Sequence, residues 1–556
     1  MKSLKHLLLI AVICLLAFSS NANNLQITGL TVSQSGSTGG TISFTITWNN
    51  CWNLSTTAAP NNWDAAWVFV KFRNCSASPA IPFTHGTLNT SMSTHTLPSS
   101  LQAMTSLPGS AYYTAGGSAA ISSSGTLDDA NGIMLSPVTA GTASSVTGSV
   151  TLNVSNLPSN ASTITVEVVG VEMVYVPQGP FYLGDGSTNG SYYHFCSSAS
   201  SSSPALVGST NETATSSYFY MSGGASTPAA YAASVPAAWP KGYYGFYCMK
   251  YEITEDLYTQ FLNTIGSAQA ANRWIANSGS VRNGASQVNS YTFTNSRPYR
   301  AQNYLSWADW EAVLDWACLR PMTETEFEKA CRGGSNTTAN GAENNEYPWQ
   351  NTTIVPATTI AGPENGTETI SNAGANCAAN NVTYGGSGDA GQGPLRAGIF
   401  ATSTSTQQSA GATYYGIMEM GGDLREFVVQ MNATVSNDTF TRTCGDGYLN
   451  TVNGPGSTLI GDENVPTWPA AEGTAAWASG TGIGQNDFGQ RGGDWYSGSS
   501  NYGSYYGMTS YYDPIQTSSR LMCIYSYNND SYFGQTYFPF YWGQSRGPVN
   551  GGRGAR

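Results

Sequence analysis

Short apolar runs, broken every few residues by glycine, serine, asparagine or proline, constrain this chain more than anything else in it. Past the N-terminus no apolar run approaches the ~20 residues that span a bilayer. No heptad is sustained either, so long coiled coils drop out. What remains is β-rich. Ile42, Phe44, Ile46 and Trp48 alternate with Thr41, Ser43, Thr45 and Thr47, the period-2 pattern of a half-buried strand. Trp67-Val68-Phe69-Val70 reads as a more buried strand, and Val150, Leu152 and Val154 alternate again. Turn-forming segments between these runs predict an all-β sandwich over residues 23–170. Nothing in it clusters chemically, so it reads as a spacer or presentation domain.

Charge narrows the classes further. Only 21 Lys+Arg and 33 Asp+Glu occur in 556 residues, or 10%, with a net charge of -12. Ordinary soluble domains are roughly 25% charged. So acidic a chain, with so few cations, is a poor nucleic-acid binder, because it neutralises few phosphates. Its 40% hydrophobic content argues against disorder. Residues 1–22 read as a secretory signal peptide: Lys2 and Lys5, apolar Leu7–Phe18, then small residues around Ser20-Asn21-Ala22. Cys14 follows bulky Ile13, which argues against a lipid anchor. The expected location is secreted, extracellular or cell-surface, with no transmembrane segment. Nine cysteines follow the leader, from Cys51 to Cys523. An oxidising destination allows a Cys51/Cys75 bridge and pairs among Cys318, Cys331, Cys377 and Cys444, and an odd count leaves one thiol over. No spacing suggests zinc.

After Ile164, Val166 and Val168 the chain runs without a linker into Val174-Tyr175-Val176-Pro177, and the pattern becomes mixed. Tyr251–Leu262, Trp307–Trp316 and Thr323–Cys331 read as helices, the last with Thr323 as N-cap and Glu326 closing a capping box. Long polar insertions separate them, Ser187–Pro240 and Thr352–Ala412, and loops of that length are usually functional. The end is different again. Residues 494–550 hold 11 of the 33 tyrosines, about threefold their share, with no Lys and no Glu.

Six blocks occur in an order that resembles one family. They are Met173-Val-Tyr-Val-Pro-Gln-Gly-Pro-Phe-Tyr-Leu-Gly184, Tyr251-Glu-Ile-Thr254, Ser306-Trp-Ala-Asp309 with Arg320-Pro-Met-Thr-Glu-Thr-Glu-Phe-Glu-Lys-Ala-Cys-Arg-Gly-Gly334, Tyr347-Pro-Trp349, Gly416-Ile-Met-Glu-Met-Gly-Gly-Asp-Leu-Arg-Glu426, and Arg491-Gly-Gly-Asp-Trp495. The resemblance is to the formylglycine-generating enzyme (sulfatase-modifying factor) family, over residues 171–556. It implies an α+β, C-type-lectin-like domain rich in glycine and loops, following the β-sandwich.

The family's oxidases bind copper through two cysteines five residues apart. Cys523 matches one position, but Asn528 stands at the other, so no copper and no catalysis are expected. Iron-dependent relatives need clustered histidines, and the mature chain has only His85, His95 and His194. The resemblance also implies structural calcium. Asp423 and Glu426 match the asparagine and glutamate of one site, and Asn376 and Asp389, 13 residues apart, match the other more weakly.

The C-terminal segment resembles a second pattern, that of variable proteins of diversity-generating retroelements. These often use the same fold, rewrite adenines in a C-terminal segment, and end near a motif like Gly551-Gly-Arg-Gly-Ala-Arg556. Met508, Gln516, Met522, Gln535, Trp542 and Gln544 depart from the residues such rewriting yields and would be scaffold positions. Tyrosine offers large amphipathic contacts with few rotors to freeze, and Ser, Gly and Asn adapt hydrogen bonds. The expected contact surface is Tyr496, Tyr502, Tyr505, Tyr506, Tyr511, Tyr512, Tyr525, Tyr527, Asn528, Asn529, Asp530, Tyr532, Phe533, Tyr537, Phe538 and Tyr541. Its partner would be a protein or glycan, on another cell or a phage. The alternatives are an unvaried structural or adhesive module of the same fold, and a copper oxidase.

Overall fold

The computed structural model describes residues 25–55, 60–105, 120–122, 125–160, 163–184, 194–198, 203–214, 217–222, 231–276, 281–334, 346–380, 382–385, 391–429, 440–453, 459–469, 488–496, 526–527 and 546–556. The N-terminal sheets are built from β1 (Leu25–Gln34), β2 (Gly40–Asn53), β3 (Asp64–Asn74), β4 (Leu101–Thr105), β5 (Ala120–Ser122), β6 (Ile133–Pro137) and β7 (Gly141–Val154). Two further strands, β8 (Ile164–Val176) and β9 (Phe246–Met249), carry the chain into the second half.

Among the described residues β1-β2-β7 form one antiparallel sheet. The order β9-β8-β3-β6-β4-β5 forms a second, with Thr84–His85 paired to β3. The alternation in β2 does what its pattern predicts: Ile42, Phe44, Ile46 and Trp48 are buried, and they meet Ala66, Val68 and Val70 of β3 in a sandwich core. Ala65, Trp67 and Phe69 belong to a different core, on the opposite side of the sheet. A strand covered on both faces reads as a continuous apolar run rather than an alternating one, which is why β3 looks as it does.

That second core is built on helices. Among the described residues α1 (Glu255–Thr264) and α2 (Trp307–Trp316) pack into it, while α3 (Glu324–Arg332) packs Phe327, Ala330 and Cys331 into a neighbouring core with Val174 and Val176. Ser306 caps α2, its Oγ accepting from Asp309 N at 3.1 Å. Thr323 caps α3 with the expected box: Glu326 N donates to Thr323 Oγ1, and Thr323 N to Glu326 Oε2. The first helix starts later than its pattern implies. Thr254 is its N-cap, because the preceding residues are held extended by tertiary bonds, Ile253 N to Gly552 O and Gln302 N to Ile253 O. Tertiary pairing outweighs propensity here.

Residue 170, where a boundary was expected, lies inside β8. One strand therefore serves both halves. It pairs with β3 from Asn74↔Ile164 to Asp64↔Val174, and with β9 from Met249↔Met173 to Phe246↔Val176. The middle sheet is a shared layer between the sandwich core and the helical core.

The cysteine pairings expected from sequence do not form. Cys75 is an exposed free thiol at the end of β3, while Cys51 is buried in the sandwich core. Cys318, Cys377 and Cys444 are also free thiols, which leaves no pair among the four candidates. Cys51, Cys318 and Cys331 lie in three different cores, and sequence spacing does not report that distance. Among the described residues no helix is long and apolar enough to cross a membrane.

Trp67 ties the layers together. Its Nε1 donates to Ala317 O at 2.8 Å, and the Arg556 guanidinium lies 3.7 Å from its ring centroid. Trp67→Ala removes packing, a hydrogen bond and a cation–π contact at once. The expected loss is about 3–5 kcal/mol of unfolding free energy, measured by urea denaturation.

Candidate functional site

The tyrosine-rich segment is bracketed by a set of buried contacts. On the outgoing side β11 (Phe488–Arg491) pairs with β10 (Arg425–Val429), and the two-residue β12 (Ser526–Tyr527) adds to its other edge. Arg491 is fully buried and reaches Glu324 at 2.9 Å and Glu328 at 3.2 Å on α3. Gly492 and Gly493 then turn the chain at φ +85° and +68°, a conformation that favours glycine. Asp494 pairs with Arg425 and accepts from Tyr496 N at 2.8 Å. Trp495 N donates to Asp423 O at 2.7 Å.

The returning side is clamped as firmly. Arg546 makes a two-pronged contact with Asp309, at 2.7 Å for each oxygen, and donates to Trp274 O and Asn272 O. The last strand, β13 (Asn550–Gly551), runs parallel to β10. Trp495 Nε1 donates to Pro548 O at 3.2 Å, so the chain leaves and re-enters within one side chain's reach.

The C-terminal motif is then locked inside. Arg553 binds both oxygens of Glu426, at 2.5 and 2.7 Å, with neither side chain exposed. Arg556 donates to Cys318 O at 2.6 Å and to Asp129 Oδ2 at 2.7 Å. There is no room for larger residues around them: a Cβ on Gly552 would lie 2.5 Å from the Trp310 ring, and one on Gly554 2.5 Å from Leu314.

Of the expected contact residues, Tyr496 is half-buried, with its ring 5.7 Å from that of Trp495. Tyr527 lies in β12, opposite Gln490. Tyr502, Tyr505, Tyr506, Tyr511, Tyr512, Tyr525, Asn528, Asn529, Asp530, Tyr532, Phe533, Tyr537, Phe538 and Tyr541 lie outside the described residues, as does Cys523.

The calcium candidates behave differently from one another. Glu426 has both oxygens on Arg553, so a guanidinium stands where a cation would bind. Asn376 spends its side chain on Val355 N and Gln408 O, and Asp389 lies outside the described residues. Asp423 accepts from Leu395 N through Oδ1, and its buried carboxyl shares a side-chain hydrogen bond with Glu252. Glu252 and Glu419 are its neighbours, and neither stood out in the sequence. Burial first, then the proximity of like charges, pushes Glu419 up to about 8 and Glu252 well above the usual carboxylate range. Burial also lifts Asp423 to about 7. Among the described residues no group of three metal-ligating side chains is arranged to hold an ion.

Other candidate chemistry is occupied structurally. His85 Nε2 lies 2.6 Å from Asn131 O, and His95 Nε2 lies 2.6 Å from Asn89 O. Burial pushes the thiols of Cys248 and Cys377 up to about 12, opposite to the shift a thiolate nucleophile or copper ligand needs.

Residues 162–462, more than half of the chain, match the family model described as sulfatase-modifying factor enzyme 1-like domain. A comparison with curated proteins found no match. Among solved structures, a crystal structure of the group B streptococcus pilus 2b backbone protein is similar at 16% identity, over 37% of this chain and 79% of that chain, with a TM-score of 0.12.

The carboxyl cluster has a pH signature. Asp423 and Glu419 bind protons more tightly folded than unfolded, so the folded state loses stability as pH rises from about 4 to about 8. Each group contributes at most about 1.4 kcal/mol per pH unit in that window. The urea midpoint should fall between pH 5 and pH 8, and Glu419→Gln should flatten the slope. Calcium on these carboxylates would reverse the sign, and EDTA would then lower the melting temperature.

Proposed function

The chain belongs to the family of sulfatase-modifying factor enzyme 1-like domains, and from that premise we propose that it is a secreted, non-catalytic ligand-binding protein that displays residues 497–545 as a diversified surface. One observation carries the reading: the segment leaves at Tyr496 and returns at Arg546, and the two stems are joined by Trp495 Nε1 and Pro548 O. Every ion pair named above lies outside residues 497–545, and among the described residues β12 (Ser526–Tyr527) pairs with β11 from within them. A frame of that kind tolerates substitution in what it holds, because binding residues are best placed on loops carried by a rigid scaffold.

Composition supports the same conclusion. Eleven tyrosines among residues 494–550, with Ser, Gly and Asn, make a surface suited to large contacts of low entropic cost. In this reading the domain is C-type-lectin-like, and the N-terminal sheets present it away from the secreting cell. The ligand is a protein or glycan on another cell or a phage. Structural calcium enters the proposal only at Asp423, whose buried carboxyl lies beside Glu252 and Glu419. Secretion rests on the leader pattern of residues 1–22.

The test is genetic. The DNA around the gene should hold a near-copy of the sequence encoding residues 494–556, differing at adenines, next to a reverse-transcriptase gene. Variants from different isolates should differ within residues 497–545 and keep Arg546, Arg553 and Arg556. Absence of the copy, with an unchanging segment across isolates, would leave an adhesive module and overturn diversification.

A further inference from the structure

Three ionisable side chains are buried together where the shared sheet meets the C-terminal half. Adjacent strands deliver one each: Asp64 opens β3, Glu172 lies on β8, and Lys250 directly follows β9. The register places Ala66 opposite Glu172, and Lys250 N donates to Glu172 O at 2.9 Å. Asp64 is 0%, Lys250 5% and Glu172 6% exposed. Lys250 Nζ lies 2.9 Å from Asp64 Oδ2 and 3.4 Å from Glu172 Oε2.

The surroundings hold this geometry and keep water out. The Trp52 ring centroid is 4.5 Å from Nζ, and that of Tyr251 is 5.5 Å away. Glu172 is oriented by Trp48 Nε1, at 3.2 Å from Oε2, and by Leu25 N, at 3.3 Å from Oε1. Asp64 Oδ1 is buried without a hydrogen bond, with the Trp52 backbone N–H turned toward the carboxyl. The Cys51 thiol nearby is pushed up to about 12 by burial and by Asp64, and stays uncharged.

Two carboxyls and one amine cannot all be charged here at low cost. Burial, and then the negative field of Glu172, pushes Asp64 well above the usual carboxylate range, although Lys250 opposes the shift. Burial is the largest influence on the Lys250 ammonium and works against it, but Asp64 and the other anionic neighbours together outweigh it and hold the charge. The ion pair is the resting form, and one proton transfer along the 2.9 Å hydrogen bond from Nζ to Oδ2 converts it to the neutral acid and amine.

We propose that Lys250 and Asp64 condense into an intramolecular amide, with Glu172 as the proton relay. The neutral Lys250 amine attacks Cγ of protonated Asp64, and the Nζ–Cγ bond forms. Glu172 takes a proton from the nitrogen and returns it to the departing hydroxyl. The Cγ–O bond breaks, and one water leaves. Ammonium plus carboxylate become amide plus water, with no oxidant, reductant or co-reactant. Contact distance and fixed orientation supply the effective concentration such a step needs. Replacing a buried ion pair with a neutral amide also removes the cost of desolvating the two charges.

The bond would join residues 186 apart in sequence, fastening the first strand of the shared sheet to the segment that enters α1. Pulling on the C-terminal half could then not peel it from the sandwich. The inference is independent of what the tyrosine-rich segment binds.

Intact mass spectrometry of the full, folded wild-type chain, denatured immediately before measurement, decides it. The expected mass is lighter than the sequence by one water. Proteolysis should yield a branched peptide joining Lys250 to Asp64. Glu172→Gln should keep the full mass while retaining a native circular dichroism spectrum, and Lys250→Arg should show no branched peptide. A folded wild-type chain of full mass overturns the cross-link even if neither variant folds. Equal cross-linking in Glu172→Gln overturns the relay.

Discussion

Arg553 and Glu426 face each other with no solvent on either side chain, and the geometry around the tyrosine-rich segment depends on that pair. Removing one member leaves an uncompensated buried charge, which costs about 3–5 kcal/mol. Its value here is orientation more than net stability. Arg553 also donates to Met249 O and Lys250 O, so the pair fixes the C-terminal tail against β9 and β10 at once. Arg491 with Glu324 and Glu328, Arg425 with Asp494, and Arg546 with Asp309 repeat the device on the two stems. The scarcity of charge in this chain takes on a different meaning in that light. Among the described residues fourteen of its 21 Lys and Arg residues are buried, so much of the cationic charge it has is used inside, as directional contacts that apolar packing would not supply.

Local structure was readable wherever one segment decides it. The alternation of β2, the span of α2 and the Thr323/Glu326 box are each complete within about a dozen residues, and each appears as its pattern implies. The start of α1 was not readable, because the competitor for residues 251–254 is the tail around Gly552, three hundred residues later. The same limit explains the cysteines: Cys51 faces one core and Cys75 sits at an open strand end. It also explains Glu426, whose partner comes from the last four residues of the chain. The resemblance to a family identified the blocks but not the counter-charge that occupies one of them. Glu252 and Glu419 sat in those blocks unremarked, since nothing in the sequence says that a carboxylate will be buried beside another.

The shared sheet has a mechanical consequence. Because β8 pairs with β3 along its length and with β9 at its end, the two halves have backbone hydrogen bonds in common rather than a linker. Trp67 and Arg556 add a side-chain path from the middle sheet to the very end of the chain. The frame of the tyrosine-rich segment is thereby attached to the sandwich through the sheet itself.

Loop entropy is what would let such a frame carry a changeable segment in the proposed reading. Closing a flexible loop costs free energy that grows only with the logarithm of its length, about 0.6 kcal/mol per doubling. A buried ion pair at the base resists disruption by several times that amount. In that reading, changes between Tyr496 and Arg546 perturb the frame far less than loss of a fully buried clamp such as Arg491 with Glu324. In the proposed reading, Asp309, Glu426, Arg546 and Arg553 stay as they are while the side chains between the two stems change.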